Sequence, residues 1–297
     1  MKLTTRFIVN PFSGGRKKNN IGHQLKKYLD HDKFDYELCV TREAGHATEL
    51  AAQAVQEGMD LVVAIGGDGS VNEVAAALVD TPTGLGILPA GSGNGLAMHL
   101  GMGRDLVKAI RRLNQASVRT IDSCCMNGRP FVNLAGVGFD GQVAYKLKKS
   151  THRGFQAYLR YTLWEALQYK GREYRIVVDG QPLPIQSLMM LEVANAPMFG
   201  YNFEIAPLAK LDDGLFEVLL FKEAPTWRYL LDSWRFIDRS IHKSPLVERL
   251  VGRKIRMETD GAFYVHVDGE GMLLEESLEF DIKPLSLKVF APQPSMA

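Results

Sequence analysis

Between residues 61 and 78 the chain reads "LVVAIGGDGSVNEVAAAL", an apolar run that passes through glycines into apolar positions at helical spacing. Residues 61–65 suit a strand covered on both faces, and Val71, Val74, Ala75 and Leu78 predict a helix. The same alternation fills the first third of the chain. Strands are predicted at 6–9, 36–41 and 85–88, and helices at 21–29, 48–56 and 105–113. Strands and helices in turn predict an α/β domain with a parallel sheet. Near residue 120 the pattern changes. Hairpins are predicted around Asn127-Gly128 and Asp179-Gly180, and further strands at 215–221, 254–258, 263–267 and 278–282. Helices at 155–170 and 227–242 interrupt a second part that is otherwise mainly antiparallel β.

Composition narrows the setting. At 297 residues there is room for two cores, and 46% hydrophobic residues is ordinary for a globular chain. A net charge of +1 exerts no global pull toward nucleic acid, and none is expected as a partner. Cys39, Cys124 and Cys125 form neither a disulfide framework nor a CxxC pair, which favours a reducing compartment. The N-terminus lacks the apolar run of a signal peptide, and no stretch approaches the ~18 apolar residues of a membrane span. The expectation is a cytoplasmic protein that touches membrane only peripherally; a homodimer is compatible with it.

Three glycine clusters follow predicted strands: "NPFSGG" from Asn10, "GGDGS" from Gly66 and "AGSGNG" from Ala90. Loops at successive strand ends share one rim of a parallel sheet, where ligands bind in open α/β folds. Glycine-rich turns before helices let backbone N–H groups converge on an anion. A P-loop is absent. A literal G-x-G-x-x-G, Gly136 to Gly141, follows a hairpin in the wrong half of the chain for a dinucleotide fingerprint. The seven histidines show no metal spacing.

"GGDGSVNEV", "NPFSGG", "LPAGSGNGLA", "DDGLFEVLLF" and "HVDGE" together resemble, in order, the motifs of the diacylglycerol kinase family of lipid kinases, which includes sphingosine kinases. The resemblance implies an α/β domain of NAD-kinase type over residues 1–121, to which 284–297 return, and a β-sandwich acceptor domain over 122–283, with the active site between them. It implies ATP as co-substrate, held by Asn10, Pro11, Ser13, Gly14, Thr41, Gly66, Gly67, Asp68, Gly69, Ser70, Asn72 and Ser92. Asp68 would orient Mg²⁺ or its waters, because an acid within a phosphate loop makes sense when a cation bridges the like charges. Asp213, with the backbone carbonyls of Lys210 and Leu215, would form a second Mg²⁺ site. Asp268 or Glu270 would take the proton from the lipid hydroxyl, and Asp122 would join the hydrogen-bond network. Many bacterial diacylglycerol kinases carry lysine where this chain has Gly15, with Arg16 one residue late, and aspartate where it has Gly95. Sphingosine kinases carry a small residue at the latter place.

The implied acceptor is a lipid such as diacylglycerol at the membrane surface, with a sphingoid base or a soluble NAD-kinase substrate as alternatives. Sphingosine kinases meet the sphingoid amine with an acid. The matching place here falls near Gln142, with Asp140 two residues earlier, so a neutral glycerolipid is the expected acceptor. Two segments are candidates for membrane contact. One is the basic cluster Lys146, Lys148, Lys149 and Arg153. The other is the face Trp227, Leu230, Leu231, Trp234 and Ile237, flanked by Arg228, Arg235 and Arg239. That face suits either an interfacial helix or a helix packed on the sandwich.

Overall fold

A computed structural model describes residues 1–13, 20–149, 155–166, 168–200 and 203–293. The chain divides into two compact units, Met1–Ser123 with Leu285–Ala297, and Cys124–Pro284.

The first unit runs β1 (Leu3–Val9), α1 (Ile21–Tyr28), β2 (Phe34–Val40), α2 (His46–Gln56), β3 (Leu61–Gly66), α3 (Asp68–Leu78), β4 (Gly84–Pro89), α4 (Gly95–His99), α5 (Leu106–Asn114) and most of β5 (Ser117–Met126). Its sheet is parallel in the order β2-β1-β3-β4, so the switch in strand order falls between β1 and β3. Every residue of β3 and β4 is buried, as their unbroken apolar runs require. α3 begins at Asp68, three residues before the apolar periodicity that predicted it, because the backbone winds up while still passing through the glycines. Asp105 caps α5 by accepting the Lys108 N–H at 2.8 Å.

The second unit holds β6 (Arg129–Phe131), β7 (Leu134–Gly138), α6 (Phe139–Lys149), α7 (Phe155–Ala166), β8 (Arg172–Val178), β9 (Gln181–Pro182), β10 (Gln186–Ala194), β11 (Met198–Gly200), β12 (Phe203–Glu204) and β13 (Phe216–Lys222). α8 (Thr226–Asp232), β14 (Val247–Gly252), β15 (Lys254–Glu258), β16 (Phe263–Val267), β17 (Glu270–Leu274) and the first part of β18 (Leu278–Ala291) complete it. Pairing within it is antiparallel, giving the expected sandwich-like domain. Tyr174, Phe131, Phe216, Phe263 and Phe280 fill the core, with Phe131 stacked on Phe216. The end of β18 returns to the first unit and pairs parallel with β4, Val289 opposite Leu85. At the crossover Leu285 takes a positive φ of 48°, and its N–H donates to buried Asp122 at 2.7 Å. The bond offsets the strain of a branched residue in that region.

Two expectations change. The helix predicted over 227–242 ends at Asp232 and continues as 3₁₀ turns at Ser233–Phe236 and Ile241–Lys243. Asp232 accepts hydrogen bonds from Arg235 and Ser244, and Arg239 takes a positive φ, which ends the regular winding. α6 has no counterpart among the predicted helices, and it explains the misplaced glycine motif. A Cβ on Gly136 would press on the Glu192 carboxylate, Gly138 has a φ of 99°, and a Cβ on Gly141 would meet the Tyr264 backbone at 2.8 Å. These glycines seat α6 against β16 and β10.

Candidate active site

The three glycine clusters start at the carboxyl ends of β1, β3 and β4, beside the switch point, and are bonded into one structure. The Asn10 side chain accepts the Phe12 N–H at 2.9 Å and donates to the Ser70 hydroxyl at 3.0 Å. Ser13 donates to the carbonyls of Asn10 and Ala90. Gly66 lies so close to Ser70 that a Cβ there would stand 2.5 Å from its hydroxyl. Gly67 and Gly91 touch backbone to backbone, and a Cβ on Gly91 would collide with the Gly67 Cα. Asn94, at a φ of 58°, closes the third loop by bonding both the N–H and the carbonyl of Gly91.

Asp68 ties the second loop to the third. Its carboxylate accepts the N–H groups of Asn94 at 2.8 Å and Gly95 at 2.7 Å, at the start of α4. Burial pushes this carboxyl up from the ordinary aspartate range, against the pull of those N–H groups. Its own backbone N–H adds a third donor to the carboxylate. Gly95, where a family aspartate is common, thus supplies a backbone donor. Thr41 is buried, its N–H bonded to the Val9 carbonyl, while Gly69 and Ser92 are exposed and Pro11 and Asn72 partly buried. The N–H groups of the first turn of α3 point out of its N-terminus, an arrangement that receives phosphate. Gly14, Gly15, Arg16 and Arg153 lie outside the described residues.

In the second unit "HVDGE" is a two-residue hairpin turn between β16 and β17. Asp268 and Gly269 have φ of 46° and 82°, and Val267 pairs with Glu270. The two acids of the motif differ sharply. Asp268 accepts the backbone N–H groups of Val132, Asn133 and Leu134 at 3.0–3.2 Å, so its carboxylate holds the turn against the start of β7. Glu270 is exposed and meets only the Lys148 ammonium, at 2.5 Å, among the contacts described for it. Asp213 sits on the exposed turn before β13, one oxygen accepting the Leu215 N–H at 3.1 Å, with Lys210 exposed and Leu215 partly buried.

Sequence reading missed two features. Lys148, read as part of a basic cluster, faces Glu270, while Lys146 meets the buried Glu165 carboxylate at 2.7 Å. Beneath the turn lies a fully buried group of ionisable side chains, Asp140, Glu192 and His266. His266 Nε2 contacts Asp140 and lies 3.3 Å from Glu192. Burial alone would lower the His266 pKa, but Asp140 and Glu192 raise it well above the usual histidine range. Burial and the Asp140 charge push Glu192 up, whereas His266 holds Asp140 low against its own burial. The neighbours thus favour the charged forms of Asp140 and His266 and the neutral form of Glu192. The available signal was a charged residue inside each of two apolar strand runs, "MMLEVA" and "YVHV".

Comparison with known proteins matches two segments of the chain. Residues 4–126 match the diacylglycerol kinase catalytic domain, and 133–291 match the YegS C-terminal NAD kinase beta sandwich-like domain. The chain is 31% identical to a YegS-like lipid kinase of Chromohalobacter salexigens over 86% of this chain and 84% of that one. It is 30% identical to a diacylglycerol kinase of Bacillus subtilis over 89% and 91% of the two chains. The crystal structure of a diacylglycerol kinase from Bacillus anthracis superposes with a TM-score of 0.74 at 20% identity, covering 98% and 97% of the chains.

Proposed function

This chain belongs to the diacylglycerol kinase family of lipid kinases, and from that premise we propose that it transfers the γ-phosphoryl group of ATP to a hydroxyl of a neutral membrane glycerolipid, with Glu270 as the base. The observation that carries the reading is the contrast within one turn. Three backbone donors occupy Asp268, while Glu270 stands exposed beside a single lysine. An exposed ion pair contributes at most ~1 kcal/mol, so Lys148 orients the carboxylate without blocking it. Glu270 takes the hydroxyl proton, the freed oxygen bonds to the γ-phosphorus, and the bond to the departing ADP oxygen breaks. The linked glycine loops position the triphosphate through Asn10, Pro11, Ser13, Gly66, Gly67, Gly69 and Ser70, with Thr41, Asn72 and Ser92 at their margin. Gly14 belongs to the same loop in sequence.

Mg²⁺ fits the donors present. One exposed carboxylate, Asp213, with the carbonyls of Lys210 and Leu215, suits a hard cation that keeps several of its waters, and the partly buried Asp68 carboxylate would meet such waters. The ion would neutralise phosphate charge.

A neutral acceptor is supported by what surrounds Gln142. Asp140 is buried against His266, and Glu165 is held by Lys146 and by the Gln142 amide. A sphingoid ammonium would find these carboxylates already paired. Transfer of label from [γ-³²P]ATP to diacylglycerol, sphingosine and NAD tests the reading. Diacylglycerol should give the highest kcat/KM, and label appearing in NAD but in neither lipid would overturn it.

A further inference from the structure

Residues 226–243 place large apolar side chains that the described residues leave more than half exposed. Trp227, Leu230, Leu231, Trp234 and Ile237 are each between 51% and 80% exposed. The segment packs on its own unit through other residues, since Tyr229 and Phe236 lie against the core cluster that contains Phe221 and Ile241. The expectation that the tryptophan-bearing face packs on the sandwich therefore does not hold; the sandwich takes the opposite side. Exposed apolar area this concentrated marks a binding surface.

Its charges indicate what it binds. The stretch carries Arg228, Arg235, Arg239 and Lys243 against Asp232 and Asp238, with Arg239 paired to Glu204 at 3.2 Å. Both acids are engaged locally, Asp232 with Arg235 and Ser244, Asp238 with the N–H and hydroxyl of Ser240. The Arg235 guanidinium lies 4.6 Å above the Trp234 ring, and Arg228 is exposed with no ion pair among the described residues. Tryptophan and leucine beside arginine match the boundary between acyl chains and anionic headgroups, where an amphipathic ring and a cation are both satisfied. A second copy of the chain, meeting this patch about a two-fold axis, would bring a second set of the same cations into one interface.

We propose that α8 and the 3₁₀ turn after it form a membrane-docking surface that inserts Trp227, Leu230, Leu231, Trp234 and Ile237 into the interface of an anionic bilayer. This rests on the lipid-kinase reading for its purpose, because a diacylglycerol acceptor lies in the bilayer. It does not rest on that reading for its test.

The experiment is co-sedimentation of the full chain with vesicles of phosphatidylcholine alone or containing phosphatidylglycerol, read together with tryptophan emission. The wild type should bind the anionic vesicles, lose binding as salt rises, and shift its emission to the blue. Leu231→Glu with Ile237→Glu should weaken binding at least ~10-fold, and Arg228→Glu should weaken it only on anionic vesicles. All three positions are exposed, so the thermal transition should stay unchanged; Trp227→Ser with Trp234→Ser provides an independent pair should the first not fold. Phosphorylation of a short-chain diacylglycerol present as monomers should be unaffected by the glutamate pair. A wild type that phosphorylates no lipid yet docks on vesicles would sink the kinase reading and leave the docking surface standing. Wild-type-like vesicle binding by the folded variants would overturn the docking surface. So would a change from dimer to monomer in ultracentrifugation with no change in vesicle binding, which would assign the patch to a second copy.

Discussion

The loops at the carboxyl ends of β1, β3 and β4 are held together by backbone, whereas the β16–β17 turn and the buried group beside it are made of side chains from β10, β16, β17 and α6. In the first region each residue has a geometric duty: Gly67 and Gly91 touch, Asn94 closes a loop, and Asp68 clamps two N–H groups. In the second, Asp140, Glu192 and His266 lie far apart in sequence and meet because β10 and β16 both pair with β7 while α6, which follows β7, carries Asp140. Backbone sites need particular residue types at fixed spacing, so they leave a motif. Side-chain sites need only convergence, so they leave scattered letters.

The contrast is sharpest at "HVDGE". Glu270→Gln should lower kcat by ~10²–10⁴-fold with the ATP KM near the wild-type value, since a base acts on the transition state. Asp268→Asn should instead cost about 1–3 kcal/mol of stability, because buried N–H groups lose an acceptor, and should leave most of the turnover. Steady-state kinetics and thermal melts of both variants separate the roles; the reverse pattern would move the base to Asp268.

The buried group should give the largest loss of stability. His266→Gln removes one partner of a desolvated pair, at a cost of about 3–5 kcal/mol. The sign of its pH dependence follows from the raised folded pKa of His266 and, in the same sense, of Glu192. Their contribution is fully present below the unfolded pKa values and fades as pH rises through the folded ones. Asp140, held low, adds stability above its unfolded pKa that is lost as pH falls through the folded value. Melting curves from neutral to alkaline pH should show the wild type converging on the variant. A constant gap would mean that packing, not charge, sets the cost.

On the backbone side, Asp68→Asn should cut turnover by about 10²-fold, through looser loops and lost positioning of charge around the phosphates. Gly91→Ala should raise the ATP KM by about 10-fold or more in a folded protein, because the new Cβ forces the two loops apart. An unchanged KM would mean that the loops can separate without cost to the nucleotide. The smallest effect is expected at Asp213→Ala, which should shift the Mg²⁺ concentration needed for activity upward; an identical titration would remove Asp213 from the metal site.

Strands β3, β15 and β16 and the turns at Asn127-Gly128 and Asp179-Gly180 were legible because a continuous apolar run, apolar-polar alternation as in β15, and Asn-Gly or Asp-Gly chemistry are local. α6 was not, since its glycines answer to the strands beneath it rather than to helix periodicity. The apolar face from Trp227 to Ile237 was read as a helix face from spacing alone. Only its surroundings separate a packed face from an uncovered one, and the spacing is the same in both.

By itself the sequence determined the order of elements, the parallel-to-antiparallel change near residue 120, the three loops and the family they resemble. Each of these depends on periodicity, turn chemistry or glycine at a set position, which act within a few residues of each other along the chain. Tertiary structure alone decided that Asp68 bonds the start of α4, that Asp268 is occupied while Glu270 is exposed, and that Asp140 is buried against His266. An acid's chemistry is set by which donors and charges surround it and by how much water reaches it. Those neighbours come from elements up to more than a hundred residues away, as Lys148 on α6 and Glu270 on β17 do across 122 positions.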